Sequence, residues 1–306
     1  MNGPAMRVAV IGSLGMLGQD LIPRLEKAGF EAIGLDLLGS GSSRLDITQP
    51  EAVLSLLKTL SPELVINCAA YTAVDQAESE PEKAMAVNRD GPAHVADACA
   101  ALAIPLVHLS TDYVFDGRLN RPYREDDPAH PLNAYGWSKW QGEEAIRSRL
   151  PAHLIIRTSW LYGVHGHNFV KTILRKARAG EDLRVVADQF GSPTWTGDLA
   201  DALVAMTKGI QTEGPAVKWG TYHFCGGGYT TWHGFAQAIV DEAHRRGRLG
   251  AVRVSPVSSA EFQGPARRPP WSVLDCRKAA AAFNLTPRPW RQGLRDMLAE
   301  LFHIEA

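Results

Sequence analysis

Tyr135 and Lys139 stand four residues apart in the stretch NAYGWSKWQGEEA, residues 133–145. In a helix that spacing puts both on one face. A free phenol, with a pKa of about 10, holds its proton too firmly for exchange near neutrality. A neighbouring ammonium stabilises the phenolate and lowers that pKa. Such a pair can therefore give a proton to a carbonyl oxygen that is receiving a hydride. Taken alone, Y-x-x-x-K is a common pattern on exposed helices, so its chemistry depends on the rest of the chain. Trp137 and Trp140, on the same helix, are expected to pack it against a neighbour.

Upstream, a short apolar run ends in G-S-L-G-M-L-G, with Gly12, Gly15 and Gly18. Glycines there let the backbone turn tightly against a pyrophosphate, and the following helix aims its N-terminus at the negative charge. The motif follows a strand and opens a helix, the context it requires. Gly12, Ser13, Gly15, Met16, Leu17 and Gly18 are the candidate contacts. The second apolar run ends at Asp36, a carboxylate suited to a ribose 2′-hydroxyl and repulsive to a 2′-phosphate. Residues 37–42 offer no Arg or Lys, which favours NADH; Arg44 is close enough to keep NADPH open. Asp46 and Ile47, in SRLDITQP, can hold the adenine; Asp46 or Thr48 can equally cap the helix that Pro50 begins.

These groups need a scaffold. Segments 7–12, 31–36, 63–70, 105–112 and 153–160 are continuously apolar, as buried strands are. Helical patterns at 15–28, 50–60, 80–103 and 134–149 lie between them. The alternation predicts an α/β fold with a doubly wound, Rossmann-like parallel sheet. Beyond it, 183–188 and 221–226 look like strands, and 167–179, 196–208, 231–246 and 290–303 like helices; 264–271 is Pro/Arg-rich and irregular. The expected division is a nucleotide-binding domain over 6–160 and 187–224, with a smaller C-terminal substrate-binding lobe from 161–186 and 225–306. In such a sheet ligands bind at strand C-termini. The fourth strand ends in Ser110-Thr111-Asp112. Thr111 is the candidate hydroxyl for polarising a carbonyl, and Ser110 a candidate cofactor contact.

Bulk properties exclude other classes. A net charge of −1 over 306 residues argues against general nucleic-acid binding. No apolar run reaches the roughly 18 residues of a membrane span, and the N-terminus lacks a leader pattern. The first five residues are expected to form a tail. Cys68, Cys99, Cys225 and Cys276 form no C-x-x-C pair, so reduced cysteines in a cytoplasmic protein are expected. His165 and His167 have no ligand cluster around them, and no metal site is expected.

The blocks NCAAYTAVDQAESEP (67–81), STDYVFDG (110–117), PLNAYGWSKWQGE (131–143), RTSWLYG (157–163), DQFGSPT (188–194) and RRPPWSVLD (267–275) together resemble the dTDP-4-dehydrorhamnose reductases, extended short-chain dehydrogenase/reductases. The resemblance runs from about Met6 to about Phe302. It implies NAD(P)H-dependent reduction of the C4 ketone of dTDP-4-dehydro-6-deoxy-L-mannose, the last step of dTDP-L-rhamnose synthesis. Tyr135 would protonate the C4 oxyanion with Lys139 assisting, and Thr111 and Asp112 would lie beside the sugar. Ala69, Ala70 and Tyr71 would line the cofactor, and Asn88 would fix the backbone near the site.

Related dehydratases carry an Asp-Glu pair after the Thr; here Tyr113 follows Asp112, so a base for elimination is missing. A non-catalytic relative, the regulatory β-subunit of methionine adenosyltransferase, is the alternative from another class. A complete Tyr/Lys pair and the RRPPWSVLD block weigh against it. Trp160 can cover a sugar face or serve as core. Arg268 suits a substrate diphosphate, since guanidinium binds phosphate oxygens in pairs, and Arg267 can exchange roles with it. Some relatives bind Mg²⁺ at a dimer contact through three carboxylates. The matching positions here are Asp20, Gly197 and Glu300, and glycine has no side chain to ligate, although Asp198 is adjacent. A monomer or metal-free homodimer is therefore expected.

Overall fold

The computed structural model describes residues 4–262 and 264–305. Of the expected N-terminal tail, residues 1–3 lie outside the described residues; Pro4 and Ala5 are exposed, and Met6 is buried. The strands are β1 (Arg7–Ile11), β2 (Glu31–Leu35), β3 (Leu64–Asn67), β4 (Leu106–Thr111), β5 (His153–Thr158), β6 (Leu161–Tyr162), β7 (Leu183–Val186), β8 (Phe190–Gly191), β9 (Thr194–Trp195), β10 (Gly220–His223), β11 (Thr230–Thr231) and β12 (Val254–Val257). The helices are α1 (Met16–Lys27), α2 (Pro50–Leu60), α3 (Val74–Ala77), α4 (Pro81–Met85), α5 (Gly91–Leu102), α6 (Ala134–Arg149), α7 (Phe169–Arg178), α8 (Thr196–Glu213), α9 (Trp232–Arg245), α10 (Arg277–Phe283) and α11 (Trp290–Ile304).

Six strands form one parallel sheet in the order β10-β5-β4-β3-β1-β2. Every residue of β3, β4 and β5 is buried, which is why these strands read as unbroken apolar runs. Helices cover both faces. Leu17, Leu21 and Leu25 of α1 pack with Leu199, Leu203 and Met206 of α8 on one face. Val53 and Leu57 of α2, Val95 and Cys99 of α5 and Ile146 of α6 pack on the other. The chain leaves β1 for β2 on one side, then returns past β1 to β3 on the other. That reversal opens a crevice at the C-terminal ends of β1 and β3, the general ligand position of such sheets.

Residues later in the chain form a second core, with Val170, Ile173, Phe235, Ile239, Leu294 and Leu298 at its centre. The expected strand at 183–188 belongs here: β7 pairs in parallel with β12 and not with the large sheet. The expected helix at 80–103 is not one regular helix. It runs as α4, a π turn at Ala86–Asp90, then α5. Such turns are frequent at functional sites.

Candidate active site

The glycine turn is built as its sequence requires. Gly12 has φ +82°, and a Cβ there would lie 2.7 Å from Ala69 N, at the exit of β3. A Cβ on Gly18 would lie 2.4 Å from Gly12 O. The N–H groups of Gly12 and Ser13 both donate to Leu35 O, at 2.8 and 3.1 Å. Asp36 Oδ2 accepts from Leu14 N–H and Oδ1 from Leu38 N–H, each at 3.0 Å, so this carboxylate also holds the turn in place. The backbone of Arg44 forms a parallel bridge with that of Asp36.

The first turn of α1 has no side-chain cap and no acidic residue. By contrast, Asn133, Asn168 and Thr231 cap α6, α7 and α9 with side-chain oxygens. The open N–H groups of α1, reached past Gly12 and Gly15, which carry no side chains, fit a dinucleotide pyrophosphate. The Leu17 side chain is buried in the core, which leaves its backbone for a contact with the cofactor. Met16 packs beside Asn168, with Nδ2 3.6 Å from its sulfur.

Asp46 Oδ1 accepts from the N–H and the hydroxyl of Thr48, at 2.9 and 2.8 Å. Neither residue caps α2, whose preceding Gln49 makes no side-chain cap. Ile47 is buried, and its carbonyl lies 3.0 Å from His94 Nδ1. At the exit of β3, Asn67 Oδ1 accepts from Ala69 N–H at 3.0 Å. Ala70 and Tyr71 follow. Asn88, in the π turn, accepts from Tyr71 N–H at 2.8 Å and donates to Tyr71 O and to Ser138 Oγ, both at 3.0 Å. This buried amide clamps the backbone of the Ala69–Tyr71 segment to α6.

Thr111, Asp112 and Tyr135 meet where β4 ends. The Thr111 hydroxyl acts on the phenol of Tyr135, favouring its ionised form. Thr111 Oγ1 donates to Asp112 Oδ1 at 3.1 Å and accepts from Tyr113 N–H at 3.2 Å. Asp112 is buried, and its Oδ2 has no hydrogen-bond partner among the described residues. Burial pushes its pKa up to about 7, against the pull of the Ser272 and Thr111 hydroxyls. α6 approaches closely because Gly136 has no side chain; a Cβ there would lie 2.2 Å from Tyr113 O.

The expected tuning of Tyr135 by Lys139 is not found. Burial pushes Tyr135 up to about 12, offset in part by the Thr111 hydroxyl. The reason is where the amine goes. Lys139 Nζ turns into the sheet, 2.6 Å from Leu109 O and 3.2 Å from His108 Nε2. Burial lowers Lys139 to about 8, while Glu143 and Cys68 pull it back up. Ser110 also departs from expectation: its hydroxyl donates to buried Glu143 at 2.5 Å and is not turned toward the crevice.

Trp160 adopts φ +46° and stacks on Trp232, with ring centroids 3.6 Å apart. One face of that ring is therefore internal. Arg268 donates to Asp75 Oδ2 at 2.7 Å and to Ala266 O at 3.2 Å. With Arg267 and Tyr113 it lines a cavity of about 990 Å³ between the sheet's C-terminal edge and the second core. Trp140 packs as expected, with Arg147 and Arg157 near its ring at 4.9 and 5.7 Å. Trp137 does not; it is 50% exposed.

Sequence reasoning missed Asp75, Tyr113, Ser272 and His108. The ring of Tyr113 stands edge-on to Tyr135 at 5.7 Å. His108 had a signal, a titratable residue inside an apolar strand. Near the matched metal positions, Asp20 pairs with Arg24 at 3.0 Å and Asp198 with Arg288 at 2.6 Å. A Cβ on Gly197 would meet the Trp195 ring at 2.6 Å. Among the described residues no group of three His, Cys, Asp or Glu side chains is placed to hold a metal. All four cysteines are free, although Cys225 and Cys276 bring their sulfurs within 3.4 Å.

A glycine turn at the sheet's reversal, facing a Tyr-bearing helix across the end of β4, is the layout of Rossmann-like oxidoreductases. Residues 6–303 match the model of the RmlD substrate binding domain family, and the chain belongs to that family. It is 44% identical over 300 residues to a dTDP-4-dehydrorhamnose reductase of Streptomyces griseus, covering 97% of this chain and 95% of that one. Two solved structures of reductases with the same name superpose with a TM-score of 0.88. That from Clostridium acetobutylicum is 34% identical, covering 97% of this chain and 100% of its own. That from Bacillus anthracis, in complex with NADP, is 37% identical, covering 97% and 99%.

Proposed function

We propose that this protein is an oxidoreductase that reduces the C4 ketone of dTDP-4-dehydro-6-deoxy-L-mannose to give dTDP-L-rhamnose, using NADH or NADPH. A reduced nicotinamide supplies the hydride when bound. Gly12, Ser13, Gly15 and the first N–H groups of α1 hold the pyrophosphate, with Asp36 at the ribose and Asp46 and Ile47 at the adenine. Ala69, Ala70 and Tyr71, clamped by Asn88, form the opposite wall. Tyr135 gives its proton to the C4 oxygen. Thr111 orients that phenol, Asp112 faces the sugar, and Arg268 or Arg267 takes the diphosphate.

The observation that carries the reading is the Thr111–Asp112–Tyr135 cluster. It combines a proton held by a phenol with a buried carboxyl oxygen that lacks a protein partner. Such an oxygen fits a sugar hydroxyl. The phenol of Tyr113 stands where elimination would need a base, which supports reduction over dehydration. The two-part division at 6–160 with 187–224, and 161–186 with 225–306, is proposed on the same footing. No helix of the described residues is long and apolar enough to cross a membrane. We further propose a cytoplasmic protein, monomeric or a metal-free homodimer, in keeping with its free cysteines and with the arginines that pair Asp20 and Asp198. The test supplies the keto-sugar made in situ and follows oxidation of NADH and NADPH separately. Oxidation of at least one is expected; oxidation of neither overturns the reading.

A further inference from the structure

Beneath the crevice lies a buried chain of polar groups, Asn67–His108–Lys139. His108 Nδ1 is 3.2 Å from Asn67 Nδ2, and His108 Nε2 is 3.2 Å from Lys139 Nζ. The amide of Asn67 cannot turn over, because its Oδ1 accepts from Ala69 N–H at 3.0 Å. Turned, it would set an NH₂ group against an N–H. Asn67 therefore offers a donor to His108 Nδ1. A neutral imidazole has one N–H and one lone pair. With the lone pair at Nδ1, the proton is on Nε2 and points at Lys139. An ammonium has no lone pair to accept it. A neutral amine has one, and keeps an N–H for Leu109 O, 2.6 Å away.

We propose that His108, fixed as its Nε2–H tautomer by Asn67, is a positioning residue that biases Lys139 toward the neutral amine and so sets the pH at which Lys139 loses its proton. The proposal rests on the reductase reading for its consequence in turnover, though not for the tautomer itself. Other groups that face the pair are few. Lys139 is faced by Glu143 from its own helix and by Cys68 after β3. His108 is faced by Lys139, Glu143 and His153 of β5. Glu143 favours the ammonium, but it is held by Arg157 at 2.7 Å and Arg147 at 2.6 Å, so its attraction is shared. Burial, and then Lys139, lower His108 well below its ordinary value, which keeps the ring neutral. Burial itself lowers Lys139 to about 8, and the His108 contact adds to that.

The first test uses wild-type protein labelled with ¹⁵N-histidine, with His108→Gln serving only to assign the signal. A neutral ring protonated at Nε2 is expected from about pH 6 to about pH 9. A ring protonated at Nδ1, or at both nitrogens, overturns the proposal. The second test is the pH profile of NAD(P)H oxidation; with the Lys139 ammonium assisting turnover, as the family resemblance implies, its alkaline limb reports loss of the Lys139 proton. His108→Asn keeps an acceptor for Asn67 and removes the donor to Lys139. The limb should move up by about one pH unit, roughly one hydrogen bond's worth. His108→Gln, whose amide reaches the Nε2 position, should bring it most of the way back. An unmoved limb in His108→Asn, or equal shifts in both variants, also overturns it. Should His108→Asn fail to fold, the tautomer decides alone. Should the wild-type protein oxidise neither cofactor, the reductase reading falls, and the tautomer remains readable in that protein.

Discussion

Two buried polar clusters lie side by side along β4 and α6, and they are built on opposite plans. Ser110 belongs to one and Thr111 to the other. In the first, Glu143 Oε1 accepts from Ser110 at 2.5 Å and Arg157 Nε at 2.9 Å, while Oε2 accepts from Arg157 Nη2 at 2.7 Å and Arg147 at 2.6 Å. Burial alone would raise Glu143, but Arg157 beside it brings the carboxyl down to about 2. In the second, Asp112 Oδ1 accepts from Thr111, Oδ2 has no partner within hydrogen-bond distance among the described residues, and its pKa rises to about 7 against the pull of Ser272 and Thr111. Both carboxyls are equally hidden from water. What differs is whether the protein completes their hydrogen bonds. A completed cluster fixes the fold; an incomplete one is left for a ligand to complete.

The largest effect should come from breaking the completed cluster. Arg157→Leu leaves Glu143 buried with only part of its counter-charge. Urea unfolding at neutral pH should show a loss of about 3–5 kcal/mol. Removing both partners, in Glu143→Leu with Arg157→Leu, should cost much less than the single change. A single variant within about 0.5 kcal/mol of wild type would mean that the cluster is not structural. Next is Tyr135→Phe, which touches only the incomplete cluster. It should lower kcat by about 10²–10³-fold, the usual share of a positioned acid, while the melting temperature stays within a degree or so. Normal turnover would remove Tyr135 from its proposed role.

The two clusters also differ in how legible they were in the sequence. The incomplete one was largely readable. A glycine turn, a strand-end Thr and a Tyr on a helix are demanded by local chemistry, and local spacing exposes them. The completed one was not, since Ser110, Glu143 and Arg157 come from β4, α6 and β5 and meet only through sheet order. Distance hid other contacts too. Arg268 finds Asp75 across 193 positions. Tyr135 and Lys139 were rightly seen on one helix, but spacing does not report direction. The amine turned inward to Leu109 O and His108, and burial raises the phenol where a lowering was expected. Likewise Trp137 looked like core by type, and only the surface position of that face of α6 leaves it half in water.

The smallest effect separates the clusters by the sign of their pH dependence. The carboxyl of Glu143 falls from an ordinary 4.5 to about 2 on folding. Its contribution is complete above pH 4.5 and is lost as pH falls toward 2. For Asp112 the shift runs from 3.8 up to about 7. Its folded environment favours the neutral form, so its contribution is present below pH 3.8 and lost as pH rises through 7. Above that the carboxylate is a net cost to folding. Asp112→Asn keeps the shape and removes the charge. It should be more stable than wild type by about 1–2 kcal/mol at pH 8, with the difference fading as pH falls toward 4. The same variant should bind the sugar less well, since an amide offers one acceptor oxygen where the carboxylate offers two. Unfolding curves at pH 8 and pH 4 decide the matter. A variant less stable at pH 8 would show that Asp112 is a satisfied structural carboxylate after all, and the contrast with Glu143 would collapse.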